Sequence, residues 1–148
     1  MSLTGSASVV DPRGQRFSAT LTTVVLAVVL VTGSGWLLVV QAAIFAVGTF
    51  AGLRRAPYGL LYRSLLRPRL GPPAQMEAEE PPRFAQGVGL LFAVLGAIGY
   101  LSGLTGLGVA ATALALVAAF LNAAFEFCLG CETYLLIIRF THRKGVTA

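Results

Sequence analysis

Two long stretches of this chain contain no charged residue at all: positions 17–53, which are 37 residues, and positions 84–125, which are 42. A helix needs about 20 apolar residues to cross a hydrocarbon core of about 30 Å, so each stretch is too long for one crossing and suits a helical hairpin. The sequence therefore predicts four crossings, over about residues 12–32, 36–54, 84–102 and 109–129. The expected fold class is all-α, an integral membrane four-helix bundle built from two hairpins, with a short interfacial helix in the central cytoplasmic loop.

Composition supports this reading. Only 11% of the 148 residues are charged and 56% are hydrophobic, and the mean hydropathy is +0.80. A soluble domain usually carries about 25% charged residues, so a soluble enzyme, a disordered tail and a disulfide-rich secreted module are all disfavoured. The net charge of +5 does not point to nucleic acid. The arginines cluster beside the apolar spans, and no recognition motif accompanies them.

Local signals place the element ends. Asp11 followed by Pro12 is an N-cap acceptor before a proline at the first helical position, and Gly33-Ser34-Gly35 supplies a turn. No Ala-x-Ala site stands near that turn, so the first span is expected to be retained rather than cleaved. Leucine pairs alternate with Arg63, Arg67 and Arg69 across 58–70, as in a helix lying in the interface plane. Residues 71–83 read as a proline-bracketed linker. Gly87, Gly89, Gly96, Gly99 and Gly103 mark a packed face on the third span, and Ala111, Ala115, Ala119 and Ala123 form a stripe on the fourth. Residues 109–140 would make a helix of about 48 Å at 1.5 Å per residue, so a break is expected, with Gly130 the obvious place. An interfacial segment and a basic tail, 132–148, would follow it.

The loops at 32–35 and 102–108 hold no cation, and all eleven Lys and Arg lie on the other side of the predicted spans. The positive-inside rule then puts both termini and the central loop on the cytoplasmic side of the membrane. A weak internal repeat accompanies this arrangement. Arg16-Phe17 and Arg83-Phe84 each open a hairpin, and segments beginning at Tyr58 and Tyr134 each follow one. In that alignment Arg54-Arg55 takes the place of Gly130-Cys131.

Chemistry concentrates in one segment. Glu126-Phe127-Cys128-Leu129-Gly130-Cys131-Glu132 holds both cysteines and two of the six carboxylates. The C-x-x-C spacing is that of thiol redox sites and of half a zinc site. On a helix the two Cβ atoms would stand about 5–6 Å apart, beyond the ~3.8 Å of a disulfide, so oxidation would need local distortion. A helix C-terminus and two nearby glutamates disfavour a thiolate. Arg13, Arg16, Arg54 and Arg55 are the cations expected to offset this, and Glu126 is expected to pair with one of them. Glu126 and Glu132 are candidate proton or charge partners of the pair. Two other readings stand beside redox work: small packing residues, or a metal set lacking histidine that needs a second subunit. No cofactor motif or metal site is assigned.

The run Asp11-Pro12-Arg13-Gly14-Gln15-Arg16-Phe17, four spans and Cys128-Leu129-Gly130-Cys131-Glu132-Thr133-Tyr134 together resemble a bacterial membrane family, domain of unknown function 4395, over about residues 8–141. The resemblance implies no assigned activity and no transferable catalytic residue. It does imply association with thioredoxin-like or sulfurtransferase proteins. The leading expectation is thiol-disulfide or sulfane-sulfur exchange at the cytoplasmic membrane boundary with such a partner. A lone pair would need a quinone, a second pair or movement to pass electrons across the bilayer. The alternatives are a non-enzymatic accessory subunit, or a minimal sulfur-anion carrier acting as a homo-oligomer. The lipid bilayer is the remaining expected partner.

Overall fold

The computed structural model describes residues 9–147, and side chains as far as His142. Of the expected basic tail, the side chains of Arg143 and Lys144 lie outside the described residues. The protein is all-α apart from one two-stranded ladder. In chain order it has β1 (Val9–Val10), α1 (Pro12–Thr32), α2 (Gly35–Phe50), α3 (Pro57–Leu65), α4 (Arg67–Leu70), β2 (Glu77–Ala78), α5 (Glu80–Ser102), α6 (Thr105–Phe125) and α7 (Leu129–Thr147). Three of these, α1, α5 and α6, are long and apolar enough to cross a membrane, and α2 is a shorter apolar helix.

Capping chemistry sets the ends. The Asp11 carboxylate accepts the Arg13 backbone N–H at 2.9 Å, ahead of Pro12. The Ser34 hydroxyl does the same for Leu37 at 3.2 Å and starts α2. That helix stops at Phe50, four residues short of the expected boundary. Gly52 takes φ 100, a conformation that glycine adopts without a Cβ clash, and the buried Glu79 carboxylate accepts the Leu53 N–H at 2.8 Å just beyond it. The stretch expected as one interfacial helix is two, α3 and α4, because Pro68 follows Arg67. Helices α5 and α6 each begin about one turn before the expected 84 and 109, and α6 also ends about one turn before the expected 129, at Phe125.

Helix α5 packs against both α2 and α6, and α1 packs mainly against α6. Their shared core is Leu26 and Val29 from α1, Leu38, Ala42 and Phe45 from α2, Ala93 and Ala97 from α5, and Ala115 from α6. Small residues allow the close approach, as expected from the glycine and alanine patterns: Gly89 faces the Phe45 ring, Gly96 faces Leu38, and Ala111 and Ala115 are buried. Outward faces stay apolar, with Val24, Val28, Val40, Leu91, Ile98, Leu114 and Val117 exposed. A surface of that kind suits contact with lipid chains.

The two halves make corresponding contacts. Val9 and Val10 precede α1, Glu77 and Ala78 precede α5, and these segments pair antiparallel, Val10 opposite Glu77. Arg83 at the start of α5 donates to the Thr49 and Phe50 carbonyls at the end of α2, at 2.6 and 2.9 Å. Arg16 at the start of α1 donates to the Ala123 carbonyl at the end of α6, at 3.1 Å. Each arginine thus meets the negative end of the other half's second helix. The Phe17 ring packs, tilted, against Tyr62 of α3 with centroids 6.0 Å apart, and Phe84 against Tyr134 of α7 at 5.6 Å. The repeat therefore aligns Tyr62, rather than Tyr58, with Tyr134. On that alignment Ala56 and Gly59 stand where Cys128 and Cys131 do, and Arg54-Arg55 matches Glu126-Phe127 instead of Gly130-Cys131.

Asp11 ties the first half together. Its side chain is buried, pairs with Arg13 at 3.0 Å and accepts the Tyr62 hydroxyl at 2.7 Å. Burial alone would raise the carboxyl's pKa, but the Arg13 and Tyr62 hydrogen bonds outweigh it and hold the group below its ordinary value of 3.8. The stability it lends is therefore complete above an unfolded-state value of about 3.9 and is lost as pH falls through the lower folded-state value. Acidification from about pH 5 to about pH 2 is expected to lower the melting temperature of the wild type more steeply than that of Asp11→Asn; equal slopes in a thermal unfolding series would contradict this.

Candidate functional site

The break after α6 falls at Glu126-Phe127-Cys128, ahead of Gly130. Glu126 caps α6 in the left-handed conformation, φ 57, with its N–H directed to the Asn122 and Leu121 carbonyls. It is the non-glycine residue with positive φ among the described residues, a position of backbone strain for a long side chain. The next helix starts at once, at Leu129.

Cys128 therefore stands at the N-terminus of a helix, a correction to the expectation that it closes the fourth span. Its carbonyl accepts the Glu132 N–H at 3.0 Å, and its Sγ accepts the Cys131 N–H at 3.1 Å. Sulfur here takes the role that a serine oxygen plays in an N-cap. The expected electrostatic penalty changes sign, because a helix N-terminus favours negative charge on sulfur where a C-terminus opposes it. The Cα atoms are 5.2 Å apart and the two sulfurs lie at disulfide-bonding distance. No distortion inside a helix is required, since Cys128 precedes the first helical turn.

Gly130 has a different task from the one its composition suggested. It lies within the first turn of α7, and a Cβ built on it would fall 2.5 Å from the Ala85 Cβ and 2.6 Å from the Ala85 Cα. The bare backbone lets α7 dock on the start of α5. Four residues on, Tyr134 packs on Phe84 along the same helix face. The Cys-x-Gly-Cys-x-x-Tyr spacing thus combines two sulfurs at a helix end with two contacts that fix where that end points.

The four expected arginines separate. Arg16 pairs with Glu126 at 2.8 Å, and both side chains are largely exposed, so the pair contributes at most about 1 kcal/mol. Arg13 is directed to Asp11 and to the Gly71 carbonyl at 2.8 Å. Arg54 donates to the Val9 carbonyl at 3.3 Å, and Arg55 is exposed. Glu132 is exposed in the first turn of α7. Cys128 and Cys131 are themselves half-buried. Among the described residues, no group of three or more His, Cys, Asp or Glu is placed to hold a metal ion.

Cys128 also forms part of the wall of a cavity of about 540 Å³ between the helices. The cavity extends from the level of Asp11, Arg54 and Tyr62 to Thr22, Phe45 and Phe92 midway along α1, α2 and α5. Tyr58 lines it and donates to the fully buried Gln41 at 2.7 Å. Burial raises the Tyr58 pKa, keeping the hydroxyl a donor. Sequence reasoning missed this cavity, since its residues come from seven helices with no shared motif. Gln41, Gln86 and Asn122, polar residues inside the charge-free blocks, were the signal available.

Together these features define a small all-α protein with membrane-compatible helices and a C-x-x-C pair at a helix N-terminus. The chain belongs to the family described as domain of unknown function (DUF4395), whose model matches residues 10–139. No curated protein and no solved structure matches it.

The Gly130 contact yields a direct test. Gly130→Ala should lower stability by about 1–3 kcal/mol through overpacking, because both the Cβ and the backbone Cα of Ala85 stand in the way, whereas Gly106→Ala, at an open position of α6, should carry no such cost. Thermal unfolding of the purified protein in detergent would measure both; equal melting temperatures of the two variants would contradict the contact.

Proposed function

We propose that this protein carries out thiol-disulfide exchange through Cys128 and Cys131 with a thioredoxin-like partner, or passes sulfane sulfur through Cys128 with a rhodanese-like one. The observation that carries the reading is the 3.1 Å hydrogen bond from the Cys131 N–H to the Cys128 sulfur in the first turn of α7. A helix N-terminus stabilises a thiolate, and the thiolate is the nucleophile of exchange.

In the reduced protein, the Cys128 thiolate attacks a partner disulfide, forming a mixed disulfide and releasing one partner thiolate, which takes up a proton. Cys131 loses its proton and attacks the Cys128 sulfur, so the intramolecular disulfide forms and the second partner sulfur leaves. The reverse sequence reduces the Cys128–Cys131 bond. In the sulfur-transfer variant, Cys128 accepts the terminal sulfur of a partner persulfide and later yields it to an acceptor thiol. Glu126 and Glu132, both exposed close to the pair, serve as proton relays in either sequence, and Arg16 holds Glu126 in place.

We infer further that the protein spans the bacterial inner membrane with both termini and the C-x-x-C end in the cytoplasm. The concentration of all eleven cations outside the two hairpin turns supports this orientation. A reducing compartment on that side favours a cycling pair over a permanent structural disulfide.

Oxidised glutathione tests the assignment of roles, read by intact mass. Reduced Cys131→Ser should accumulate one glutathione adduct on Cys128, Cys128→Ser should react at least about tenfold more slowly, and the wild type should end as the disulfide with no adduct retained. Equal reactivity of the two single variants, or a wild type that keeps two adducts, would overturn it and leave the cysteines as packing residues of an accessory subunit.

A further inference from the structure

The cavity beside Cys128 has a size and lining that thiol exchange with a protein partner does not use. Its volume, about 540 Å³, falls in the range of small-molecule sites. Phe45, Phe92, Leu114 and Ala118 make its deeper walls apolar, while Cys128 and Gly130 belong to the wall at the α7 end. One polar atom there has no partner: the side-chain nitrogen of Gln15, a hydrogen-bond donor, is buried and unbonded, and Gln15 lines the cavity. A buried donor without an acceptor is costly, and it calls for a ligand whose polar atoms accept.

We propose that this cavity binds the ring of a membrane quinone, which takes the electron pair of the Cys128 and Cys131 thiols. The proposal rests on the thiol reading above and names the second substrate. A quinone has a flat apolar body and carbonyl acceptors at its ends, which suits aromatic walls and an amide donor. It is dissolved in the hydrocarbon, where α1, α5 and α6 would lie. A lipid chain would offer Gln15 no acceptor. Of the three arginines that line the cavity, Arg54 and Arg63 donate to backbone carbonyls, which leaves Arg67 alone to meet a free sulfur anion.

The step balances without a further reactant. When the bond between the two Sγ atoms forms, the pair loses two electrons and two protons, and the quinone's carbonyl oxygens gain both to become the hydroxyls of a quinol. A partner dithiol then returns the disulfide to two thiols and is itself oxidised. The net reaction is partner dithiol plus quinone to partner disulfide plus quinol.

Decylubiquinone is the probe, used with the full-length protein in detergent. The disulfide form cannot reduce it, so binding is measured on oxidised protein by calorimetry. Saturable binding is expected, weakened about tenfold by Gln15→Leu, the loss of one hydrogen bond, and at least as much by Ala118→Phe, which fills the cavity. Thiosulfate should not displace the quinone. Mixed anaerobically with reduced protein, the quinone should give one quinol per chain with loss of both thiols. Glutathione exchange by the two variants at the wild-type rate would show that they are folded.

Absent binding, binding unchanged within twofold in both folded variants, or displacement by thiosulfate would overturn the quinone site while leaving thiol exchange in place. Binding without quinol formation would overturn the electron step. Cavity-dependent binding by a chain whose thiols also fail to exchange with glutathione would remove the thiol reading itself, and the electron step with it.

Discussion

The contact between Gly130 and Ala85 determines how the rest of the candidate site is arranged. Because the backbone of α7 can approach α5 without an intervening Cβ, the chain leaves α6 at Phe125, turns through Glu126 and starts a new helix within three residues. Had α6 continued, Cys128 would lie on a helix flank near a C-terminus, where both carbonyl charge and geometry oppose a reactive thiol. The turn exchanges that setting for a helix N-terminus. Backbone strain at Glu126 accompanies the change, and Arg16 meets the same turn from α1 through the Glu126 carboxylate and the Ala123 carbonyl.

The corresponding contacts of the two halves give the site its context. Arg16 and Arg83 each meet the end of the other half's second helix, and Phe17 and Phe84 each hold the tyrosine of a following helix. Within that common frame the halves diverge. The first places Ala56 and Gly59 where the second has its two cysteines, and gives Asp11 and Tyr62 a buried hydrogen bond that locks α3 to α1. One half is thus built for anchoring, and its counterpart carries the two cysteines. The cavity lies between them, with walls from both.

Much of the fold was legible because charge exclusion from a bilayer is a strong constraint. The blocks at 17–53 and 84–125 mark the long apolar helices, and the cap at Asp11 and the turn at Gly33-Ser34-Gly35 mark two of their starts. Of the glycines and alanines expected on packed faces, Gly89, Gly96, Gly99, Ala111 and Ala115 are in contact, whereas Gly103 is the exposed C-cap of α5 with open space around it. Helix ends were less legible: α2 stops at Phe50 because of the φ at Gly52 and the reach of Glu79 from a distant segment, which no local pattern reveals. The site was half legible. Its residues and their spacing stood out, as did the pairing of Glu126 with an arginine, but the position of the break did not. Gly130 carries the composition of a helix breaker, and only the nearness of Ala85 shows that it serves packing instead. Three of the four arginines grouped by sequence around the cysteines are engaged elsewhere or exposed, since a shared side of the chain does not fix side-chain direction.

The central claim is that Cys128 and Cys131 form a working thiol pair at the cation-bearing end of the helices. Its most direct test is labelling of native membranes, in sealed vesicles of each orientation, with a membrane-impermeant maleimide before and after reductant. A working pair is labelled from the cytoplasmic side, with a share of the chains protected as disulfide until reductant is added and both cysteines reactive afterwards. Cysteines that react from neither side in either condition, or that react fully without reductant and never form a disulfide when the membranes are oxidised, would contradict it.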